Sequence, residues 1–447
     1  MRANAAPAPR IADQARGLVS AHRRKSYSSE ETNPSQPARV ELIMKRNYLQ
    51  QTTAILFALF FLATTSAAQS GATRPRRVNP QTVNEAAAKQ QPGATLESRA
   101  NNARAATVAQ TGGDTTRAYA LLQQGQFDAA AREARQIAAA NPTNGEAWKI
   151  VGFAEVGLKQ YAEAATDLQK ALDLQRAAGE ADPNTEDKLA QSLVLSEQFE
   201  RALPLLVAAT SRPGKAPDAT MLYSRGLAEY QTKKVADAER SFNAAAKADP
   251  KNAAALFYLG RIAFDRGQAD AAIAALNRAA TADPRLAQAW SLLTVAYLRR
   301  AAEAGDTPKA NESYLNAVRT SDALVRLRAD ESSAALNAQA LVGAKQYARA
   351  ATVLETVASN ANAQGSTLYL LGVAYSRAKN FPKATAALER AAAKSPADVN
   401  IYRELGYAYE VSKQYGKALA AYQKGAQLAP DDADFKEAVE RVRPFAK

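Results

Sequence analysis

Side chains able to do covalent or metal chemistry are scarce in this chain of 447 residues. There is no cysteine, and the one histidine is His22. Most metal sites and most nucleophile–base pairs draw on one of those two side chains. Disulfides, thiol catalysis and lipidation at a leader cysteine are therefore excluded. Two glycine–lysine pairs, Gly214-Lys215 and Gly416-Lys417, lack both the glycine-rich run that wraps a phosphate and the Ser or Thr that follows its lysine. The acidic run Asp431-Asp432-Asp434 has neither the glycine nor the distal Glu of a calcium loop. Acids at a helix N-terminus ordinarily complement the helix dipole. Two carboxylates suffice for glycoside cleavage, but no spacing singles out such a pair. The chain reads as a non-enzyme with no catalytic residue, no metal site and no cofactor, whose chemistry is that of surfaces.

The formal charge of +13 raises nucleic acid as a partner until it is divided along the chain. Residues 1–68 hold 9 Lys+Arg against 4 Asp+Glu, residues 69–110 hold 6 against 2, and the remainder holds 42 against 38. A net of +4 with both signs interspersed lacks the strong basicity of a nucleic-acid binder. Neither a nucleic-acid partner nor a small-molecule substrate is expected.

Residues 1–43 are polar, basic and rich in Ala, Pro and Ser. Met44-Lys45-Arg46 then precedes an apolar run over 54–63 and the small residues Ser66-Ala67-Ala68. A basic start, a short apolar stretch and a small-x-small site read as an export signal over 44–68. Met44 is then the start of translation, and 1–43 reads as a non-native upstream extension or a disordered segment. The alternative is a retained anchor, although this run of about ten residues falls short of the roughly 20 that span a bilayer. Residues 69–113, with Pro75, Pro80, Pro92 and Gly112-Gly113, read as a disordered linker of low hydrophobicity. The expected location is a bacterial periplasm, with secretion or membrane attachment as alternatives. Membrane contact is expected only if the apolar segment is kept as an anchor.

The elements that must carry any binding surface repeat with a period of 34 residues, as from Gly226 to Gly260 and from Gly372 to Gly406. Leu256-Phe257-Tyr258-Leu259-Gly260, Ala272, Leu276, Ala279 and Pro284 make one clear unit. Leu368, Leu371-Gly372, Tyr375, Phe381, Ala384, Leu388, Ala391 and Pro396 make another, and Trp148, Val151-Gly152, Tyr161, Ala164, Leu168 and Ala171 a third. A small residue at the eighth position of a unit lets its two helices approach, and large apolar residues fill the spaces between helices. Proline at the thirty-second position stops the second helix. Looser copies complete nine units. The second and sixth carry extra residues around 176–181 and 301–307, read as a lengthened helix end and a longer inter-helix turn. A last stretch with Phe435, Ala438, Val439 and Val442 on one face reads as the cap an open-ended stack requires.

These columns resemble the tetratricopeptide repeat family over roughly residues 111–430. The resemblance implies an all-α, right-handed superhelical solenoid of helix-turn-helix repeats, about nine of them over 114–430, closed by a capping segment at 431–447. It also implies a concave groove lined by the first helix of each repeat, helix A, whose second, fifth, ninth and twelfth positions face the groove. Those positions hold Thr220, Tyr223, Leu227 and Tyr230 in the fourth repeat and Ala254, Phe257, Arg261 and Phe264 in the fifth. They include Tyr369 in the eighth, and Arg403 and Tyr407 in the ninth. Aromatic residues and arginine carry binding energy at interfaces. Tyr223, Leu227, Tyr230, Phe257, Arg261, Phe264, Tyr369, Arg403 and Tyr407 are therefore the expected contacts with a protein or peptide partner. The alternative is that the aromatics pack between repeats as core.

A family clamp for a C-terminal carboxylate needs Lys at the fifth and Asn at the ninth position of one helix A. Here Lys149 is followed by Phe153, and no repeat restores the pair. An apolar or aromatic peptide is the better match. The expected function is a non-catalytic scaffold or adaptor of the bacterial cell envelope. A chaperone-like holder of exported unfolded chains, or a membrane-tethered adaptor if the signal is kept, are the alternatives.

Overall fold

The computed structural model describes residues 114–180, 182–214 and 216–446. All of them lie in the second of the two units, Met1–Ala63 and Thr64–Lys447, into which the chain divides. The expected upstream extension (1–43), export signal (44–68) and linker (69–113) lie outside the described residues.

Among the described residues there are 19 α-helices and no strand. They form nine helix-turn-helix pairs, A then B, and a cap. The first three pairs are α1 (Thr116–Gln123) with α2 (Phe127–Ala140), α3 (Gly145–Gly157) with α4 (Tyr161–Ala177), and α5 (Pro183–Leu195) with α6 (Phe199–Thr210). Next come α7 (Ala219–Gln231) with α8 (Val235–Ala248), α9 (Ala253–Asp265) with α10 (Ala269–Ala282), and α11 (Ala287–Ala304) with α12 (Pro308–Leu327). The last three are α13 (Glu331–Gly343) with α14 (Tyr347–Ala358), α15 (Gly365–Arg377) with α16 (Phe381–Lys394), and α17 (Val399–Val411) with α18 (Tyr415–Leu428). The cap is α19 (Ala433–Val442), followed by a short 3-10 helix, Arg443–Phe445.

Large residues at one position of helix B build the core. Leu168, Leu206, Phe242, Leu276, Leu354, Leu388 and Tyr422 occupy it in seven of the nine repeats and are buried to 2% exposure or less. Burying each stabilises the fold by roughly 1.5–3 kcal/mol. Helix A comes close enough to cover them because its eighth residue is small: a Cβ on Gly152 would lie 2.5 Å from Leu168 Cγ. Every closely packed helix pair is adjacent or next but one in the chain, so the core is a row of local contacts, as in any solenoid.

The turn from A to B needs one residue with left-handed backbone. Gly125 and Gly267 supply it in two repeats, but Lys159, Glu197, Lys233, Lys345, Lys379 and Lys413 do so in six, at φ between 59 and 65°. The next N–H then reaches back over the helix end, as from Gln160 to the Glu155 carbonyl at 2.9 Å, satisfying a carbonyl that the helix leaves open.

The sixth repeat differs from its sequence reading. The extra residues lengthen both helices and leave the turn short: α11 has 18 residues and α12 has 20, against 13 in α9 and 14 in α10. Ala301, Ala302 and Ala304 are strong helix formers, and Arg299 pairs one turn ahead with Glu303 at 2.9 Å. The Thr307 hydroxyl then caps α12 by accepting from Ala310 N–H at 3.2 Å, with Pro308 at the first turn. In the second repeat the extra residues extend α4 to 17 residues, as the sequence indicates.

Candidate functional site

Consecutive A helices pack on one another along the whole array, whereas consecutive B helices do not come into close contact. The A helices therefore form the tighter, inner surface, which is the one that can line an extended partner.

At its N-terminal end the first three A helices enclose a cleft of about 420 Å³. Leu122, Ile150 and Phe153 give it apolar surface, and Glu146, Lys149 and Asp187 polar surface. Of its four charged side chains, Glu146, Lys149 and Asp187 are paired, whereas Lys188 reaches only Gln191 Oε1, at 3.3 Å. Lys149 Nζ lies 3.2 Å from Glu146 Oε2 and 3.1 Å from Asp182 Oδ2, and Arg212 lies 2.8 Å from Asp187. Burial works against the Lys149 ammonium, but its hydrogen bond to Asp182 and the nearby carboxylates outweigh that and raise its pKa. Burial likewise opposes the charge on Asp182, yet hydrogen bonds from Asn184 N–H and Lys149 hold its pKa below the usual carboxylate value. A cleft most of whose charges are satisfied internally offers a partner its apolar surface first.

None of these cleft residues is among the contacts expected from sequence. Glu146, Lys149 and Phe153 are nonetheless the second, fifth and ninth residues of one A helix, and Asn184, Asp187 and Gln191 those of the next. The signal that marks them is that register itself, in two repeats where Phe153 is the one aromatic residue among these six positions.

Tyr223, Leu227 and Tyr230 on α7 and Phe257 on α9 come together, each half-buried. They surround Tyr258, whose ring stacks on Phe242 at 4.9 Å between centroids and meets Tyr230 and Phe257 edge-on at 5.3 and 5.4 Å. Burial pushes the Tyr223 hydroxyl up to about 12. These rings fill the seam between the fourth and fifth repeats and keep part of their surface open. Farther along α9, Arg261 lies 3.9 Å from Asp265, and Phe264 is buried beneath the Arg299 guanidinium, 5.5 Å from its ring centre.

The remaining expected contacts stand apart from that cluster. Tyr369 is buried at 5% exposure, and Tyr407 is half-buried with its ring edge-on to Phe381. Both are near enough to Arg377 to act on its charge. Arg403 faces the cap: its guanidinium reaches Asp432 at 2.5 Å and Asp434 at 3.4 Å and lies 4.5 Å from the centre of the Phe435 ring.

One buried acid lies next to the cleft helices. Glu155 of α3 is fully buried, bonded to Arg135 of α2. Burial first, and the charge of Asp167 on α4 second, raise its pKa to about 7 against the pull of Arg135. Among the described residues no group of three or more candidate metal ligands occurs. No helix among them is long and apolar enough to cross a membrane.

The tetratricopeptide repeat family model matches residues 115–183, 188–252, 225–287 and 369–433, together more than half of the chain. No curated protein matches the sequence. Among solved structures, a tetratricopeptide repeat protein from Parabacteroides merdae is 15% identical over 58% of this chain and 98% of its own, with a TM-score of 0.37. YrrB, described as having an unusual peptide-binding site, is 15% identical over 45% of this chain and 99% of its own, with a TM-score of 0.38. MamA from Desulfovibrio magneticus RS-1 is 24% identical over 40% of this chain and 96% of its own, with a TM-score of 0.35.

Proposed function

Since the chain belongs to the tetratricopeptide repeat family, we propose that it is a non-catalytic scaffold that holds a protein or peptide along its A helices. Proteins of this family generally mediate protein–protein interactions, and such repeat scaffolds are generally non-enzymatic. The observation that carries the reading is the inner surface itself. It opens at one end into a cleft most of whose charges are paired internally, and it bears half-exposed aromatic rings at its centre. An apolar or aromatic segment of a partner suits both places better than a carboxylate does, because Lys149 is already held by two acids.

The order of basic, apolar and small residues over 44–68 supports an exported protein of the bacterial envelope. The scaffold would then hold components of an envelope assembly. Retention of the apolar run would make it a membrane-tethered adaptor instead. The exposed parts of Tyr223, Tyr230 and Phe257 also favour a second reading, a holder of unfolded exported chains that binds apolar segments without sequence preference.

A crosslinked pull-down from envelope extract tests the proposal, using wild type, Tyr223→Ala/Phe257→Ala and Phe153→Ala. One stoichiometric partner that weakens in either variant supports the scaffold. Many substoichiometric chains, with aggregation suppressed in vitro, support the holder. Partners unchanged in both variants would remove the A-helix surface from the reading.

A further inference from the structure

The A-to-B turns of a stack of helix pairs lie along one edge of the array, and the charge on that edge changes along its length. In each of the first five repeats the left-handed residue and the residue four positions on sum to zero: Gly125 and Ala129, Lys159 and Glu163, Glu197 and Arg201, Lys233 and Asp237, Gly267 and Ala271. In the last three repeats the same positions are Lys345 and Arg349, Lys379 and Lys383, Lys413 and Lys417. Six cations replace a balanced set.

The placement opposes helix stability. The first five B helices carry an acid in the first turn, and the last four carry none. Arg349, Lys383 and Lys417 occupy that first turn, where a positive charge meets the positive end of the helix dipole. Three consecutive repeats thus set a cation against the dipole of their own helix B.

The charges are presented to solvent. Arg349 and Lys383 each touch one carboxylate of the preceding repeat, Asp322 at 3.2 Å and Glu355 at 3.0 Å, yet keep 54% and 58% of their side chains exposed. Lys345, Lys379 and Lys413 are exposed and, among the described residues, have no carboxylate partner. Lys417 lies over the Tyr409 ring, 5.3 Å from its centre. At the end of this ladder Phe445 is 62% exposed, its ring 5.3 Å from that of Tyr415, which stands between Lys413 and Lys417.

We propose that this edge of the last three repeats docks on an anionic lipid surface, with Phe445 entering the headgroup region beside the lysines. Five of the six cations are lysine, a hydrated point charge on a flexible stem, where recognition of a defined phosphate favours the arginine fork. A line of turns is a protruding edge, which fits a flat charged surface better than it encloses a polymer. The ring between Lys379 and Lys383, Phe381, packs on Tyr407 and is not offered as a stacking platform for bases. An exposed aromatic at the end of a lysine row is the combination that settles at a membrane interface. This surface is separate from the inner one, and the proposal stands whether or not that surface binds a peptide.

The test is co-sedimentation of the full chain with vesicles of phosphatidylcholine alone or mixed with phosphatidylglycerol. Any contribution of the apolar run over 54–63 appears with both. The ladder appears as the difference, which is expected to vanish as salt rises from about 50 to about 500 mM. Each lysine near an anionic surface is worth roughly a factor of five. Lys345→Asn/Lys379→Asn/Lys413→Asn is therefore expected to weaken binding to the mixed vesicles by about tenfold or more. Asparagine tolerates the left-handed backbone, and a circular-dichroism melt checks the fold. Lys159→Asn/Lys233→Asn, at balanced turns, is expected to bind as wild type does. Phe445→Ala, which leaves the charges alone, is expected to weaken binding several-fold. Equal binding to both vesicle types, a triple variant that binds like wild type, or preference for soluble polyglutamate over mixed vesicles would each overturn the proposal.

Discussion

Gly260 and Leu276 approach so closely that a Cβ on the glycine would lie 2.5 Å from Leu276 Cγ. Leu276 is fully buried and has nowhere to retreat. Gly260→Ala is expected to destabilise the fold by about 1–3 kcal/mol. Gly416, in the first turn of α18, has nothing within 4 Å of where its Cβ would stand. Gly416→Ala is expected to raise stability by about 0.5–1 kcal/mol. Guanidinium unfolding midpoints that moved in the same direction for both would contradict the packing described.

Glu155 makes the second repeat sensitive to pH. Its pKa rises from 4.5 in the unfolded chain to about 7 in the fold, through burial and then Asp167. The folded chain thus binds the proton more tightly. The contribution is fully present below about pH 4.5 and is lost as pH climbs through about 7. Asp182, whose pKa is lowered, acts oppositely and only in more acidic solution, where stability is lost as pH falls. Unfolding monitored at Trp148 in a Trp290→Phe background should show stability declining between about pH 5 and about pH 7.5, and Glu155→Gln should flatten that decline. A slope unchanged by the substitution would assign the effect to other groups.

The left-handed turn residues test backbone strain. A side chain in that conformation costs roughly 1–2 kcal/mol, part of which glycine returns as lost unfolded-state restriction. Glu197→Gly, at φ 59°, is expected to raise stability by about 0.5–1 kcal/mol. Gly125→Val, at φ 73° with open space around it, is expected to lower it by about 1–2 kcal/mol. Thermal melts of the two single variants decide the signs.

The cap depends on two arginines. Arg403 holds Asp432 and Asp434, and Arg441 grips Glu410 through two bonds of 2.8 and 3.0 Å. Charge-assisted bonds of this kind contribute about 1.5–3 kcal/mol. Arg403→Ala should loosen α19 by that order and speed amide exchange there, while exchange in α3 stays unchanged. Uniform acceleration along the array would show that the cap is not a separate unit.

The period and the core column were legible because the same small and large residues meet in repeat after repeat, as Gly152 with Leu168 and Gly260 with Leu276. The sixth repeat was not. Gly305-Asp306-Thr307-Pro308 reads as a turn in any case, and only the burial of Ala301 shows that the residues before it continue the helix. The cleft was legible in register and hidden in composition. Its Lys149 is held by Asp182, a residue from the following turn that no motif ties to it. Arg403 stands at a groove position, yet its partners are supplied by the cap, which column-by-column reading of a repeat leaves out.

Because every closely packed helix pair among the described residues is adjacent or next but one in the chain, no close helix packing fastens one end of the array to the other. A pull on the two ends is shared by all the junctions in series, and each gives by a small angle while its own core stays shut. A partner laid along the inner surface therefore meets a spring and not a mould. It can draw the pitch toward its own length, and the elastic work is divided among many small joints.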